Sequence, residues 1–344
     1  MEISAWQKAK NDYILSSFCV SDFLYFHCHI LHHDPVLISE IENLFIALPI
    51  HRVVVDATLG LGGHSRMFAS HMSPGERLIG IDRDRDNLDI ADKKIQIDSG
   101  LQDLANGKSK LPTIDLVHSS FADIDTILDE RWIQEIDYIL YDLGVSSAHY
   151  DDGERGFSIR YDAPLDMRFD RTTGRTARDL VMTASEYDLR DLMFRYADEK
   201  KSVHIARAIV ENRKIKSIDT TFELLEIIRW SSYDKDSPKR VFQALRIAVN
   251  AEFEHIETSI KKAIDRLSIG GQIAIISFHS IEDRIVKSLV TPYLTWTIDE
   301  YTGQTIIPAR LAKYNKKPIL PTELEIDRNP RSRSAKLRVL TRIN

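Results

Sequence analysis

The residues most able to do chemistry in this sequence are aspartates that end apolar runs. Asp56 ends the run at 52–56 and opens the glycine-rich segment DATLGLGGH, and Asp82 ends the run at 78–82, 26 positions later. Glycines directly after a strand let the backbone approach a ligand closely, and the helix that follows presents free N–H groups to it. A carboxylate at Asp82 can accept hydrogen bonds from both hydroxyls of an adenosine ribose. The pattern therefore predicts a site for a cofactor that contains adenosine.

The spacing of the glycines distinguishes between two such cofactors. Dinucleotide-binding turns follow G-x-G-x-x-G, whereas this chain reads GLGGHS from Gly60, with Ser65 at the third glycine position. The difference favours S-adenosylmethionine over NAD. It therefore counts against an NAD-dependent oxidoreductase, which is the alternative function for a turn of this kind.

A third aspartate, Asp142, ends the run at 136–142 and is followed by LGVSS. Open α/β sheets bind ligands beyond the carboxyl ends of their strands, so Asp142 is a candidate for contact with the cofactor, a substrate amine, or both. An exocyclic cytosine amine is a poor nucleophile because its lone pair is delocalised into the ring. An acceptor on its N–H groups can turn the lone pair towards a methyl donor and stabilise the positive charge that develops. Asp142 is therefore the predicted catalytic residue, and such a transfer needs no metal.

Strands and helices that alternate along the chain must position these aspartates. Continuous apolar, β-branched runs predict buried parallel strands. The predicted strands are 52–56, 78–82, 114–118, 136–142 and 272–278, and the predicted helices between them are 64–71, 86–97 and 240–267. This order predicts an α/β fold with a doubly wound parallel sheet.

The rhythm of the sequence also predicts its domain organisation. Residues 150–239 begin with a polar stretch and continue with helical spacing, which predicts an inserted, mostly helical substrate domain. Residues 34–149 and 240–344 form the cofactor-binding core, and residues 1–33 an N-terminal extension. The extension holds both cysteines and a crowded HCHILHH run. Crowded ligands do not match the spacing of structural zinc sites, so we expect no metal there.

Composition narrows the class of protein. Apolar residues make up 43% of the 344 residues, and no apolar run is long enough to cross a bilayer. We expect no secretory leader, because the N-terminal stretch lacks a basic start and a small-residue cleavage site. Two cysteines provide no disulfide framework and suit a reducing compartment. These features predict a cytoplasmic protein without membrane association.

Charge is unevenly distributed along the chain. Within a net charge of −6, residues 307–344 carry ten Lys or Arg and three acidic residues, a local balance of +7, and the remainder carries −13. A basic tail on an acidic body is expected when one face meets phosphate, although a solvated tail without a partner has the same pattern. The candidate phosphate contacts are Arg331, Arg333, Lys336 and Arg338.

Several segments, in order along the chain, closely resemble the ribosomal RNA small-subunit methyltransferase H family, also called MraW. The resemblance begins at HDPVL (33–37) and covers about nine tenths of the chain. The other matching segments are DATLGLGGH (56–64), DLGVSS (142–147), ERGF (154–157), PLDMR (164–168), FQALRIAVN (242–250), ISFHSIEDRIVK (276–287), NPRSR (329–333) and SAKLR (334–338). Matches of this length and order are very specific.

The resemblance implies a class I methyltransferase, which is a Rossmann-like α/β core with an inserted helical domain. It implies N4-methylation of a specific cytidine in the decoding region of small-subunit (16S-type) ribosomal RNA, with S-adenosyl-L-methionine as cofactor. The family's cofactor contacts fall on Gly62, Gly63, His64, Asp82, Phe121 and Asp142. A further contact, usually a glutamine, falls on His149, where a histidine is sensitive to pH.

Other residues in the shared segments are candidates for binding the RNA. They are Arg155, Arg168, Asn250, Ser277 and His279. For each arginine the alternative is a salt bridge with a nearby acid such as Asp151, Asp166 or Asp170, and for His279 a structural role and a role as a base both stay open. The implied partner is small-subunit ribosomal RNA or the assembled small ribosomal subunit. The oligomeric state is open, with a homodimer as one option.

Two other functions compete with this one. A DNA cytosine methyltransferase usually carries a proline-rich tetrapeptide where this chain has DLGV (142–145), which counts against that function. A catalytically silent RNA-binding or assembly factor would keep the fold, but the nearly intact cofactor motif argues against it. A measurement of cofactor binding would distinguish the silent factor from the enzyme.

Overall fold

The computed structural model describes residues 35–48, 52–98, 112–298, 301–302 and 304–344. The extension predicted at 1–33 and its HCHILHH run lie outside the described residues. The helices are α1 (Ile38–Ile46), α2 (Gly63–His71), α3 (Arg85–Asp98), α4 (Ile124–Asp129), α5 (Ser147–Asp151), α6 (Ala177–Thr183), α7 (Glu186–Ala197), α8 (Ser202–Asn212), α9 (Thr221–Ser232), α10 (Ser237–Asn250), α11 (Glu252–Arg266), α12 (Ser280–Leu294) and α13 (Glu323–Arg328). The strands are β1 (Val53–Asp56), β2 (Arg77–Asp82), β3 (Thr113–His118), β4 (Ile136–Asp142), β5 (Leu267–Ser277), β6 (Thr297–Ile298), β7 (Thr305–Ile307), β8 (Leu311–Lys313) and β9 (Lys336–Arg342). Short 3-10 helices span Phe121–Asp123 and Pro330–Ser334.

A seven-stranded sheet in the order β3-β2-β1-β4-β5-β9-β8 organises the chain. Strands β1 to β5 run parallel, and β9 and β8 add two antiparallel neighbours at one edge. The strand order reverses between β1 and β4, and such a switch point opens a crevice beyond the carboxyl ends of the strands. The α/β, doubly wound fold predicted from the sequence is confirmed.

Both faces of the sheet are buried, which explains why its strands read as continuous apolar runs. In β4, Ile139 and Tyr141 face one core, and Tyr138 and Leu140 face the other. Residues of α4, α11 and α12 complete the first core, and residues of α1 and α2 complete the second. The alternation of side chains along each strand therefore decides which helices cover which face.

Helices α6 to α10 share a third apolar core with the segment between α5 and α6. Leu189, Ile205, Leu224 and Leu245, one each from α7 to α10, are fully buried in this core. The domain boundary predicted at 239/240 falls inside α10. This helix contributes Val241, Phe242 and Leu245 to the core of the insertion and Ile247 to the first core of the sheet. Among the described residues, no helix is long and apolar enough to span a membrane.

The single helix predicted over 240–267 is wrong, because the chain forms two helices there. Helices α10 and α11 are separated at Ala251, whose φ is 49°. Both helices carry an apolar face, and neither glycine nor proline marks the break, so the spacing of apolar residues gave no signal of it. Strand β5 likewise begins at Leu267, earlier than the predicted 272, and contains Gly270 and Gly271.

Candidate active site

The turn after β1 is built around the carboxylate of Asp56, which is 1% exposed. Its Oδ1 accepts a hydrogen bond from the Thr58 N–H (3.2 Å), and its Oδ2 accepts one from the Ser65 hydroxyl (2.7 Å). Burial raises the pKa of Asp56 to about 6, although these hydrogen bonds act to lower it. Both oxygens therefore bind groups of the turn and of α2, and Asp56 holds the two together.

Asp82, at the end of β2, lies beside this turn. Its Oδ2 accepts a hydrogen bond from the Gly60 N–H (2.8 Å), and its Oδ1 accepts one from the Asp84 N–H (2.7 Å). Burial raises the pKa of the Asp82 carboxyl. Oδ2 also accepts a long hydrogen bond from the Asn87 Nδ2 (3.4 Å). Oδ1 keeps a further lone pair, and Oδ2 would gain one if a ribose hydroxyl displaced the Asn87 amide, so Asp82 can still accept hydroxyl groups of a ribose.

Gly62 and Gly63 place the beginning of α2 against its neighbours. Gly62 adopts a φ of 77°, and a Cβ there would lie 2.9 Å from the Ala91 Cβ in α3. Gly63 and His64 form the first turn of α2, where N–H groups have no partner within the helix. Gly62 thus allows α2 to pack closely on α3.

We predict that Gly62→Ala lowers the free energy of unfolding by about 1–3 kcal/mol more than Gly75→Ala does, because overpacking adds to backbone strain at Gly62. Gly75 is a matched control, since its φ is 95° and a Cβ there would have no heavy atom within 4 Å. Chemical denaturation of both variants measures the difference. Equal losses of stability would show that the contact with Ala91 costs nothing.

Asp142 ends β4 at the same edge of the sheet, next to the turn. Its backbone N–H donates to the Thr58 hydroxyl (2.6 Å). Its Oδ1 is buried and has no hydrogen-bond partner among the described residues. Burial, followed by repulsion from Asp56 and Glu282, raises the pKa of Asp142 to about 8. A buried acceptor without a donor is costly, and an N–H group or a positive charge beside this oxygen would remove that cost.

His64 lies between α1 and this carboxyl group. Its Nε2 is 3.0 Å from the Val36 carbonyl oxygen, and its Nδ1 is 3.8 Å from the Asp142 Oδ2. A proton on Nε2 donated to the carbonyl leaves Nδ1 as an acceptor in the neutral ring. At 3.8 Å the Nδ1 is beyond hydrogen-bond distance of Asp142, so the imidazole packs beside the carboxyl group while the backbone of His64 lies at the start of α2.

Phe121 begins the 3-10 helix that follows β3. Its ring stands edge-on to those of Tyr141 and His255, with centroids 5.8 Å and 6.3 Å away. It packs partly against the core of the sheet. A ring in this place can pack on the face of an adenine, and the family resemblance implies a cofactor contact at Phe121.

His149 and Arg155 meet on one oxygen of Asp84. The His149 Nε2 and the Arg155 Nη1 lie 2.7 Å and 2.8 Å from Asp84 Oδ2. Arg155 also donates from Nη2 to the backbone carbonyls of Arg168 and Phe169, at 3.0 Å each. The salt bridge that was the alternative to RNA binding for Arg155 is therefore present. Its acid is Asp84, on the turn between β2 and α3, and not an acid close to Arg155 in the sequence.

Arg168 and Asn250 are also engaged by protein groups. The Arg168 Nε and Nη2 donate to the two oxygens of Asp166, at 2.8 Å each, which is the salt bridge expected as the alternative. Asn250 is 1% exposed, donates to the Met167 carbonyl (2.7 Å) and accepts from the Phe169 N–H (2.8 Å). Binding of substrate to the Asn250 side chain would break these bonds, so its geometry is that of an anchor.

Ser277 and His279 lie at the end of β5. Ser277 is 2% exposed and is the register partner of Lys336 in β9. The His279 Nδ1 accepts from the Glu282 N–H (3.3 Å), and its Nε2 lies 2.8 Å from the Glu282 Oε1. The first of these contacts and the bond from the His279 backbone N–H to the Glu282 Oε2 (3.3 Å) form a capping box at the start of α12, which gives His279 a structural role.

The C-terminal basic residues divide into two groups. In β9, the Arg338 Nε donates to Asp283 (2.6 Å), and the Lys336 Nζ lies 3.9 Å from the same carboxyl group. Arg331 and Arg333 lie in the 3-10 helix before β9 and are exposed, and the Arg331 Nη2 donates to the Asp151 Oδ1 (3.0 Å). Because β9 begins opposite the end of β5, this 3-10 helix lies at the edge of the sheet that carries Asp142.

Sequence reasoning missed two residues that shape this edge. Asp84 joins the β2–α3 turn to the insertion, and Glu282 accepts the backbone N–H of Phe278 (2.8 Å) while it repels Asp142. The signal for Asp84 was its position two residues after Asp82. The signal for Glu282 was a capping-box spacing with a histidine in place of the usual Ser or Thr.

The fold and this site together define a class I methyltransferase. The defining features are the order of the strands in the sheet, the glycine turn after β1, and the aspartates that end β1, β2 and β4. The chain belongs to the MraW methylase family, whose family model matches residues 30–343, and the cofactor of this family is S-adenosylmethionine. The chain is 40% identical over 318 residues to the ribosomal RNA small subunit methyltransferase H of Caldicellulosiruptor saccharolyticus, covering 90% of this chain and 99% of that protein. It is 38% identical over 320 residues to the enzyme of the same name from Neisseria meningitidis serogroup A, covering 90% and 92%. A solved rRNA methylase from Streptococcus thermophilus aligns at 11% identity and a TM-score of 0.38, covering 89% and 95%.

Proposed function

We propose that this protein transfers the methyl group of S-adenosylmethionine to the N4 amine of a cytidine in the decoding region of small-subunit ribosomal RNA. The observation that carries the proposal is the buried Asp142 Oδ1, which has no hydrogen-bond partner among the described residues and lies next to the glycine turn. The names of the relatives support ribosomal RNA as the acceptor. Such a reaction belongs to the cytoplasm, where small subunits are assembled.

The residues at the edge of the sheet fit the cofactor. Asp82 has lone pairs for the ribose hydroxyls beside the Gly60 N–H, and Phe121 offers a ring for the adenine. The N–H groups at the start of α2 suit a carboxylate. Asp142 offers a buried acceptor for an ammonium or an amine. When bound, the cofactor supplies an electrophilic methyl group on a sulfonium.

The protein's part in the reaction is alignment and electrostatics. We infer that the target cytidine leaves its stack and enters the cleft between the core and the insertion. The ionised Asp142 accepts an N4 hydrogen, which turns the amine lone pair towards the methyl group. As the N4–C bond would form, the bond between the methyl carbon and the sulfonium sulfur would break, and S-adenosylhomocysteine would leave as a neutral thioether. N4 would then carry a positive charge and lose one proton, which Asp142 can accept before passing it to solvent. The His64 ring lies beside this carboxyl group, with its Nδ1 3.8 Å from Asp142 Oδ2.

The test is methyl transfer from labelled S-adenosylmethionine to small ribosomal subunits that lack their own N4-methylcytidine, followed by nucleoside analysis. We expect N4-methylcytidine at one site. Naked ribosomal RNA as a parallel substrate shows whether the assembled subunit is required. Cofactor binding without transfer to either substrate would overturn the proposal and favour a silent RNA-binding factor.

The exposed end of the C-terminal tail gives a prediction for RNA binding. Replacing Arg331 and Arg333 by glutamine should weaken binding and reduce the slope of log K against log salt by about 1 to 2, since each phosphate contact contributes about 0.7 to 0.9. Arg310→Gln is the control. Arg310 belongs to the same basic tail, but it precedes β8 at the end of the strands opposite to the one that carries Asp142. Equal slopes for the double variant and the control would remove this 3-10 helix from the RNA-binding surface.

A further inference from the structure

The buried contacts of Asp84 tie three parts of the chain together. Its Oδ2 accepts from His149 in α5 (2.7 Å) and from Arg155 in the insertion (2.8 Å), and its Oδ1 accepts from the Asp86 N–H (2.9 Å). Its own N–H donates to Asp82, the predicted ribose ligand. The side chains of Asp84, His149 and Arg155 are each no more than 5% exposed. The Asp84 carboxylate thus connects the turn between β2 and α3, the helix α5 that follows β4, and the insertion at Arg155.

Charge makes this contact strong. Burial by itself would raise the pKa of Asp84, but the hydrogen bonds and charges of His149 and Arg155 hold it at about 2. The carboxylate is therefore ionised at neutral pH. Buried ion pairs of this kind fix geometry, and removal of one partner leaves an uncompensated charge.

The segment held by this carboxylate is the loop at residues 155–169. Arg155 donates to the carbonyls of Arg168 and Phe169 at its far end, and its own carbonyl accepts the Met167 N–H (3.1 Å). Asn250, at the end of α10, accepts the Phe169 N–H (2.8 Å) and donates to the Met167 carbonyl (2.7 Å). The loop is therefore closed on itself by Arg155 and fastened at its end by Asn250.

Three rings cover the polar contact. The His149 ring lies 5.0 Å from Phe157 and 5.1 Å from Phe169, and these two phenylalanines are 5.7 Å apart, measured between centroids. Phe157 and Phe169 stand near the two ends of the 155–169 loop. The rings exclude water from Asp84, so the loop and the β2–α3 turn cannot separate without exposing both the rings and the ion pair.

We propose that Asp84 is a positioning residue for the methyl transfer. Through His149 and Arg155 it holds the 155–169 loop against the cofactor edge of the sheet, where the loop forms one wall of the pocket for the acceptor base. This role rests on the proposed function for its kinetic consequence, but the loop-holding contact itself does not. In this proposal Arg155 binds Asp84 instead of the RNA, and His149 helps to hold the 155–169 loop.

The test compares Asp84→Asn with Asp86→Asn. Asp86 lies two residues further on, in the first turn of α3. Its carboxyl group is 3.9 Å from the Arg155 guanidinium but 78% exposed, so it carries the same charge without the burial. In Asp84→Asn we expect amide hydrogen exchange in the 155–169 loop to be at least about 10-fold faster, because this loop opens locally. In Asp84→Asn the kcat for methyl transfer should fall about 10- to 100-fold, because a displaced 155–169 loop would no longer align the acceptor base. The KM for S-adenosylmethionine should change less than about threefold. Asp86→Asn should match the wild type in both measurements.

Arg155→Lys keeps the test decisive if Asp84→Asn fails to fold. An ammonium group can reach Asp84 but cannot also donate to both carbonyls at the end of the loop, so exchange should again accelerate in the loop alone. Wild-type exchange in the loop, or equal acceleration across the amides of β1 and β4, would overturn the proposal. If the wild-type protein transferred no methyl to ribosomal RNA, the proposed function would fail, and the exchange measurement would still decide whether Asp84 holds the loop.

Discussion

Asp142→Asn should lower the single-turnover rate of methyl transfer by about 100- to 1000-fold with saturating cofactor, the range seen when one group that stabilises developing charge is removed. Asparagine keeps the shape of the side chain but offers a neutral acceptor and cannot take a proton. The cofactor should still bind, because Asp82 and the glycine turn stay in place. Rapid-quench measurements with labelled cofactor give the rate, and calorimetry with S-adenosylhomocysteine gives the affinity.

Asp137→Asn is the matched control on the same strand. Asp137 accepts hydrogen bonds from the Val53 N–H (3.0 Å) and the Ser268 hydroxyl (2.7 Å), so its carboxyl group serves the structure at the other end of β4. Its replacement should reduce stability and leave the single-turnover rate near that of the wild type. A wild-type rate in Asp142→Asn would remove Asp142 from the reaction.

The raised pKa of Asp142 predicts two pH dependences of opposite sign. The reaction needs the carboxylate, so the rate of methyl transfer should rise with pH up to about 8, the pKa to which burial, Asp56 and Glu282 raise this group.

The stability of the protein should change with pH in the opposite direction, because the folded state binds this proton more tightly than the unfolded state, whose carboxyl group titrates near the ordinary 3.8. Stability contributed by the protonated group is lost as pH rises between these two values. Asp142→Asn should therefore raise the thermal unfolding midpoint above that of the wild type by more at pH 8 than at pH 5. An equal increase at both pH values would contradict the raised pKa of Asp142.

Asp82→Asn should weaken cofactor binding by about 100-fold or more, because hydrogen bonds to a charged acceptor are worth about 1.5–3 kcal/mol each and a ribose offers two hydroxyls. The amide cannot accept on both sides, and its NH2 group would face the Gly60 or the Asp84 N–H. Calorimetric titration with S-adenosylhomocysteine measures the loss. The expected kcat at saturating cofactor is close to that of the wild type, since Asp142 is unchanged.

Asp115→Asn is the control for this second substitution. Asp115 lies in the middle of β3, the strand next to β2, and its carboxyl group is 3.6 Å from Arg77 and from Arg131. These pairs are partly exposed and weak, so cofactor affinity should stay within about twofold of the wild type. If Asp82→Asn bound the cofactor as tightly as Asp115→Asn, the ribose would not lie at the end of β2.

The sequence by itself determined the sheet and the chemistry at its edge. Apolar runs buried on both faces are continuous along the chain, and a turn such as 56–64 links one strand to the helix that follows it, so both are visible in local patterns. Parallel topology then brings the ends of β1, β2 and β4 together, which places Asp56, Asp82 and Asp142 at one edge without any further information.

Only the tertiary structure decided which partners the polar side chains take. Arg155 binds Asp84, 71 positions away, and the Asn250 side chain binds the Phe169 N–H, 81 positions away. Arg338, a member of the basic tail, is held by Asp283 because its strand pairs with β5. A charge or an amide in a sequence has many acids and carbonyls within its reach in three dimensions, and local spacing does not select among them. The packing of the insertion on the sheet makes that selection, because a buried polar group is stable only where a complementary group is buried with it.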